Sequence, residues 1–306
     1  MPPSVPTILE RAELFAALAW RLGKPYPAAA LDVLRQRLLQ NAPSEALEMC
    51  GQIAQDSLDA IADQIDTTAP LSPSTTDPAR PVKPLAPDPL LTVLVFNPLG
   101  WPRTEEAALS FSLPAGMTPT GTIAVRGAQA DAAPCTVTRE PDPADPAAVR
   151  WTVRFPAAVP AFGYQTYFLT PEQPVAFPPA VLPAQSRLEA EGEWAAVREQ
   201  QDAESASQPL LTTRTGLHAG PLPKAHAFFR FEPEALFLSA VRRSEDGQAL
   251  LFSAVNRGTS PVRPVLALSE PLHLGKPVWV SPAEDVDILP PRQTVTWRCE
   301  AKGQPA

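Results

Sequence analysis

The chain has 306 residues, a formal net charge of −8, 40 prolines and three cysteines, and 44% of its residues are hydrophobic. An acidic excess without a basic block argues against a nucleic-acid partner, and no apolar run approaches the roughly 20 residues that cross a membrane. The hydrophobic fraction predicts a folded protein, whereas the frequent prolines predict short strands and long connections.

Two features bear on the cellular compartment. The first residues, Met1-Pro2-Pro3-Ser4, have neither the basic region nor the apolar core of a signal peptide, so we expect a cytoplasmic protein. The three cysteines, Cys50, Cys135 and Cys299, lie far apart and fit no metal-binding spacing. We expect them to be scattered thiols rather than a disulfide or a metal site.

Residues 1–66 form a predicted segment of three amphipathic helices. The first helix spans 7–23, the second begins at Pro27, a favourable first-turn residue, and the third spans 43–65. Apolar residues recur every three or four positions: Leu9, Leu14, Phe15, Leu18 and Leu22; then Leu31, Leu34, Leu38 and Leu39; then Leu47, Cys50, Ala54, Leu58, Ile61 and Ile65. Three such helices can bury their apolar stripes against each other, but they need a further surface to cover the remainder.

Residues 67–90 are rich in proline, serine, threonine and aspartate, and they predict an extended linker. Over residues 91–170 the hydrophobic period becomes two, which is typical of antiparallel strands with one solvated face. Examples are Leu109, Phe111 and Leu113 in one strand and Val149, Trp151, Val153 and Phe155 in another. This segment is predicted to be a β-sandwich.

Residues 171–225 form a second low-complexity linker in this interpretation, with an acidic, alanine-rich stretch at Glu189–Gln208 that is compatible with a frayed helix. Alternating strands resume over 226–301, which is predicted to be a C-terminal β-sandwich. The fold class is therefore mainly β with an N-terminal α part, that is, a three-helix bundle followed by two antiparallel β-sandwich modules joined by proline-rich linkers.

The stretch Leu94–Glu105 is the most distinctive motif. An apolar run ends in Asn97-Pro98, turns through Leu-Gly-Trp-Pro and enters an alternating run at Arg103. Each proline lacks a backbone donor and holds the residue before it in extended geometry, so the stretch predicts a strand, a rigid corner and a second strand.

This corner resembles the opening of the β-sandwich region in α-mannosidases of glycoside hydrolase family 38. Other motifs resemble that family in the same order along the chain. They are Ala12-Glu13-Leu14 with Leu22-Gly23 and Tyr26-Pro27, Leu38-Leu39-Gln40-Asn41 with Cys50, Val159–Tyr167, and Pro233–Asn256. The resemblance implies the helical middle segment and the C-terminal β-sandwich modules of such an enzyme.

The resemblance also implies where the family's chemistry is expected to be missing. In the family, His-Asp stands three and four residues after the asparagine that matches Asn41, and the histidine completes a divalent-metal site, usually zinc. Ser44 and Glu45 stand at those positions here, and a serine hydroxyl is a poor zinc ligand. The nucleophile and the other ligands belong to an α/β domain that precedes the helices, so we expect no catalytic residue, no metal ligand and no cofactor in this chain.

No other group of residues offers a convincing catalytic site. The acidic pairs Glu105-Glu106, Glu245-Asp246 and Asp142/Asp145 are interpreted as solvated surface rather than as the closely spaced carboxyls of a retaining glycosidase. His218 and His226 could meet across a turn, but isolated, non-ligating histidines are favoured, as for His273.

Aromatic side chains could bind a sugar by stacking on its apolar face. The candidates are Trp101, Trp151, Tyr164, Tyr167, Trp279 and Trp297. A core position is favoured for each of them, so the sequence identifies no carbohydrate-binding residue.

Three hypotheses for the function remain open. The first is a non-catalytic, carbohydrate-associated remnant or accessory chain of α-mannosidase origin. The second is one half of a split, metal-dependent α-mannosidase whose partner chain supplies the catalytic domain. The third is a self-associating structural module. The expected partners are therefore α-mannoside glycans or a family 38 catalytic domain on another chain, and the sequence leaves enzymatic activity undecided.

Overall fold

The computed structural model describes residues 5–39, 43–68, 91–114, 122–128, 132–172, 193–280 and 288–303. Most of the linker predicted over 67–90 lies outside these residues, as do Asn41 and positions 173–192 of the second predicted linker. Within the described ranges, no helix is long and apolar enough to span a membrane.

The three predicted helices are present as α1 (Val5–Arg21), α2 (Ala28–Leu39) and α3 (Pro43–Ala62). The end of α1 is set by Gly23, which has a φ of 106° that residues with a Cβ rarely adopt. The amide of Lys24 then donates to the carbonyl of Ala19 at 2.9 Å, the reverse bond that commonly closes a helix at a glycine.

Burial of α1 is more complete than its amphipathic pattern indicates. Every residue from 12 to 21 is buried, including Glu13 and Arg21. Arg21 is 1% exposed, and its Nε donates to the carbonyl of Leu272 at 2.9 Å while Nη2 donates to that of His273 at 3.0 Å. Arg21 is therefore covered by chain segments more than 200 residues away, whereas the Glu13 carboxylate pairs with Arg35 of α2.

Two antiparallel sheets occupy the segment predicted as the first sandwich. Its strands are β1 (Leu91–Asn97), β2 (Arg103–Pro114), β3 (Thr122–Gly127), β4 (Ala132–Ala133), β5 (Thr136–Pro141), β6 (Ala148–Val159) and β7 (Gly163–Glu172). Strands β2, β6 and β5 form a three-stranded sheet, and β4, β3, β7 and β1 are consecutive strands of a six-stranded sheet. The inward faces of both sheets contribute to one hydrophobic cluster, which we call the strand core.

The described part of the second predicted linker contains regular structure: α4 (Glu193–Ser207), β8 (Leu211–Thr215) and β9 (Ala225–Ala227). Strand β8 extends the six-stranded sheet by pairing with β1, and β9 pairs with β7. The expectation of a linker there differs from the structure because these strands are short and their pairing partners lie far away in the sequence. The domain boundaries themselves stay predictions.

The remaining strands are β10 (Phe229–Glu232), β11 (Leu236–Arg243), β12 (Ala249–Asn256), β13 (Val265–Leu268), β14 (Val278–Trp279) and β15 (Thr294–Glu300). Strands β11, β12, β15 and β14 form one antiparallel sheet, and β10 pairs with β13. The structure is thus mainly β with an N-terminal helical part, as predicted, and α4 lies within the stretch that was compatible with a frayed helix. The arrangement as two separate sandwiches stays a prediction.

A second, larger cluster joins the helices to the strands. It includes the C-terminal half of α1, residues of α3, β1 and β7, and the inner faces of β10–β15, and we call it the shared core. Strand β1 separates the two cores, since Val93 and Val95 face the strand core whereas Leu94 and Phe96 face the shared core. Because side chains alternate along a strand, the continuous apolar run of β1 is what a strand buried on both faces requires.

Candidate functional site

The position that resembles the family's metal-binding histidine is exposed. Ser44 lies in the first turn of α3 with its side chain in solvent, and the Glu45 carboxylate forms an ion pair with Arg37. Among the described residues, no three histidine, cysteine, aspartate or glutamate side chains lie together in a way that could hold a metal ion.

Acidic residues of the candidate pairs form ion pairs and hydrogen bonds with neighbouring side chains. Arg103 Nε donates to Glu105 at 2.7 Å, and Arg154 Nη1 donates to Glu106 at 2.9 Å. Hydrogen bonds, led by the one from Ser244, lower the pKa of Asp246 to about 2, and Arg298 adds to the effect. The Asp246 carboxylate is therefore held in the ionised state, which a general acid could not use near neutral pH.

Two of the three histidines pack against other parts of the chain, and the Nε2 of one of them, His226, is buried without a hydrogen-bond partner among the described residues. His218 Nε2 lies 3.2 Å from the carbonyl of Ala62 and its Nδ1 lies 3.1 Å from the hydroxyl of Thr67. His226 packs instead beside the rings of Tyr164 and Phe228, and burial lowers its pKa. His273 is exposed.

None of the three cysteines, all of which lie in the described part of the chain, forms a disulfide. Cys50 and Cys299 are buried, and burial raises the pKa of Cys50 to about 11 and that of Cys299 to about 12. Neutral, buried thiols do not act as nucleophiles near neutral pH.

Burial separates the candidate sugar-stacking rings into two groups. Trp151, Tyr164, Tyr167 and Trp297 are buried in the two cores, as the sequence predicted. Trp101 and Trp279 are half-buried. Trp279 packs edge-on against Trp297, whereas Trp101 lines a cavity.

This cavity, which we call the corner cavity, has a volume of about 210 Å³. Its walls come from the first half of α1, the corner between β1 and β2, the end of α4, and strands β11 and β12 with the loop that follows β12. The cavity thus brings together residues as distant in the sequence as Thr7 and Arg257.

Two buried asparagines shape the walls of the corner cavity. Asn97 Nδ2 donates to the carbonyls of Trp101 at 2.7 Å and Pro160 at 3.0 Å, and its Oδ1 accepts the amide of Leu99. Asn256 makes the equivalent set of bonds at the end of β12, to the carbonyls of Ser260 and Leu289 and from the amide of Gly258. Each side chain therefore holds a corner in place of regular backbone pairing, and both corners border the cavity.

Charged side chains of opposite sign face this space. Arg257 forms an ion pair with Glu204 of α4. Burial raises the pKa of Glu10 to about 7, repulsion from Glu204 raises it further, and attraction to Arg257 partly offsets both effects. Burial likewise raises the pKa of Glu204, although Arg257 lowers it. The charge of the Glu10 carboxyl therefore changes near neutral pH.

The remaining polar group of note is Arg11. Its Nε is buried without a hydrogen-bond partner among the described residues, and burial lowers the pKa of its guanidinium. A buried donor that lacks an acceptor is unusual, because it loses its bonds to water without replacement. The corner cavity thus combines an unsatisfied donor, a titratable carboxyl and an aromatic ring.

Sequence reasoning named Trp101 as a candidate but missed Glu10, Arg11, Glu204 and Arg257. The corner motif marked one wall of the cavity. No local pattern distinguishes the other residues from ordinary surface charges, since they are brought together only by tertiary packing.

Comparison with known proteins identifies the fold. The structure is similar to that of an α-mannosidase from Enterococcus faecalis V583, with a TM-score of 0.67 and 12% identity, over 97% of this chain and 66% of that one. It is also similar to a protein in glycosyl hydrolase family 38 from Enterococcus faecalis, with a TM-score of 0.71 and 12% identity, over 97% of this chain and 69% of that one. The chain thus spans about two thirds of the length of these structures.

No protein-family model matches the sequence, and no curated protein matches it. The resemblance read from the motifs is confirmed at the level of the fold, because the chain shares its architecture with family 38 α-mannosidases over nearly its whole length.

Proposed function

We propose, with this shared fold as the premise, that the chain is a non-catalytic, carbohydrate-associated module built on an α-mannosidase scaffold. The observation that carries the proposal is Ser44, which stands exposed at the position that resembles the family's metal-binding histidine. The ion pair of Glu45 with Arg37 supports it further, because a carboxylate engaged in this way is a poor replacement ligand.

An activity assay tests the non-catalytic part of this proposal. The purified chain is incubated with an aryl α-mannoside in the presence of zinc or cobalt, and release of the aryl group is followed. We expect no turnover above that of a heat-denatured sample. Turnover that a chelator abolishes would contradict the proposal.

Retention on immobilised mannan tests the carbohydrate association. We expect the folded chain to elute later from a mannan column than from the unmodified matrix, and free mannose to reduce the difference. Equal elution from both columns would contradict a carbohydrate-associated role.

Two exposed apolar side chains support a second candidate, in which a partner chain supplies a catalytic domain. Val33 of α2 and Leu47 of α3 are 43% and 37% exposed, and Leu47 lies one turn from Ser44. Exposed apolar side chains are suited to cover by another protein.

Co-purification distinguishes the second candidate from the first. Val33→Lys and Leu47→Lys together are expected to abolish capture of a catalytic-domain partner, while Val265→Lys, at another exposed apolar site, leaves capture intact. A chain that captures no such partner from its native cells rules out the split enzyme.

A further inference from the structure

The corner cavity has the dimensions of a site for one small ring. Its volume of about 210 Å³ equals that of roughly seven waters at about 30 Å³ each. Cavities for drug-sized ligands are larger, roughly 300–1,000 Å³. A single sugar ring therefore fits within this space, whereas the remainder of an oligosaccharide would extend into solvent.

The charges in the cavity favour a neutral ligand. Arg257 is neutralised by its ion pair with Glu204, and burial raises the pKa of Glu10 to about 7, so this carboxyl is partly uncharged near neutral pH. A charged ligand would upset this balance in a partly buried space, where an unpaired charge is costly. A neutral ligand that both donates and accepts hydrogen bonds fits better.

Hydroxyl groups meet this requirement. A guanidinium only donates hydrogen bonds and a carboxylate only accepts them, whereas a hydroxyl does both. The buried Nε of Arg11 supplies a donor that no described residue satisfies, so a hydroxyl oxygen of the ligand would complete its bonding.

An aromatic ring completes the site. Trp101 lines the cavity, its Nε1 donates to Ser205 Oγ at 3.1 Å, and its ring packs against Phe237 at a centroid distance of 5.3 Å. These contacts hold the indole in place before a ligand arrives, which reduces the entropy lost on binding. The apolar C–H face of a pyranose packs well on such a ring.

We propose that the corner cavity binds one neutral monosaccharide unit, with Trp101 beneath the sugar ring and Arg11 and Glu10 bonded to its hydroxyls. This inference deepens the proposed carbohydrate association and rests on it, but it concerns a site distinct from the position of Ser44. No metal ion and no bond-breaking step are involved.

The indole N–H signals of the tryptophans provide the readout. The full chain, labelled with ¹⁵N in tryptophan, is titrated with D-mannose, and the Trp101 signal is assigned from the spectrum of Trp101→Phe. We expect a saturable shift of the Trp101 signal, with the Trp279 signal unchanged. Sodium acetate, a small anion, is expected to cause no saturable shift.

Variants place the sugar in the cavity. Ser239→Leu fills part of the space and is expected to abolish the shift, whereas Ala206→Leu, an exposed change on α4 beside the cavity-lining Ser207, preserves it. Glu10→Gln, which keeps the shape and removes the charge, is expected to weaken binding about tenfold through the loss of one charge-assisted hydrogen bond.

The outcomes separate this inference from the proposed function. Mannose binding that survives Ser239→Leu and Glu10→Gln, or saturable binding of acetate in its place, would overturn the inference. Retention on mannan without a mannose-dependent shift of the Trp101 signal would also overturn it and leave the carbohydrate association standing. Loss of both the retention and the shift would overturn both proposals.

Discussion

The two hydrophobic cores are assembled in different ways. The strand core draws its buried residues from positions 93 to 169, a continuous stretch of strands that follow one another in the chain. The shared core draws them from positions 14 to 299, with α1 packed against strands at the opposite end of the sequence. One core is a local structure, whereas the other depends on the whole chain.

The difference shows that strand periodicity identifies a module only when the strands that pair with one another lie in the same segment of the chain. The alternation of β2 and β6 predicts the strand core because both partners lie in the same segment. The helices of the predicted bundle do not pack only against each other, because α1 shares its buried surface with α2 and α3 on one side and with the C-terminal strands on the other. The bundle is therefore not independent of the β part.

Removing one large ring from each core provides the strongest test of this comparison. Phe15, 2% exposed, packs edge-on against Phe96 of β1, and Phe155, 1% exposed, packs against Tyr167. Truncation of either ring to alanine should cost about 3–5 kcal/mol of the free energy of unfolding. Phe15→Ala is expected to increase amide hydrogen exchange in α1, β1 and β12 together.

Phe155→Ala is the matched variant. It should increase hydrogen exchange chiefly in β2, β5 and β6, and leave β12 and β15 protected. Equal exchange profiles for the two variants would mean that the cores unfold as one unit, and the distinction between a local and a chain-wide core would fail.

A smaller effect is expected at Arg21, which ties α1 to the C-terminal segment. Arg21→Met keeps the length of the side chain but leaves the carbonyls of Leu272 and His273 without their donor, so we expect a loss of about 2–3 kcal/mol in urea unfolding. Arg230→Met removes only an exposed ion pair with Glu232 and should change the stability by less than about 0.5 kcal/mol. A stability loss for Arg21→Met as small as that for Arg230→Met would indicate that the buried hydrogen bonds of Arg21 contribute nothing.

The smallest effect concerns Glu10, where α1 meets α4. The pKa of Glu10 is raised from 4.5 to about 7 in the folded chain, so the folded state binds its proton more tightly than the unfolded state does. Its contribution to stability is therefore complete below about pH 4.5 and is lost as the pH rises through 7.

Glu10→Gln should abolish this dependence. We expect the variant to be about 1 kcal/mol more stable than the wild type at pH 8 and nearly equal at pH 5. The difference is modest because water partly screens the carboxyl and reduces the effect of its raised pKa on stability. Thermal unfolding at the two pH values measures the difference, with Glu106→Gln as the exposed control. A variant that is less stable at pH 8 would contradict the direction of the pKa shift.

Some elements of the fold could be predicted from local sequence patterns, and others could not. Gly23 and Pro27 marked helix boundaries because the backbone conformations they impose are local. The Asn97-Pro98 corner was recognised for the same reason, and the structure shows that Asn256 forms an equivalent corner. Strands β8 and β9 were missed because a short strand is defined by its partner more than by its own composition.

The candidate site was accessible to sequence reasoning only in part. Trp101 stood within a distinctive motif, and Ser44 was identified through the family resemblance. Glu10, Glu204 and Arg257 looked like ordinary surface charges, since their proximity depends on how α1, α4 and the end of β12 pack. Their shifted acidities follow from burial, which a single sequence does not record.

The sequence by itself determined the helices, most strands, the rigid corner and the resemblance to an α-mannosidase scaffold, because these depend on periodicity and on residues whose backbone preferences act over a few positions. Tertiary structure alone decided that residues 12–21 of α1 are buried on all sides, that Arg21 bonds to the far end of the chain and that a polar cavity forms beside Trp101. The reason is physical: burial and charge proximity arise between segments that are distant in sequence, and no local pattern encodes which of them will meet.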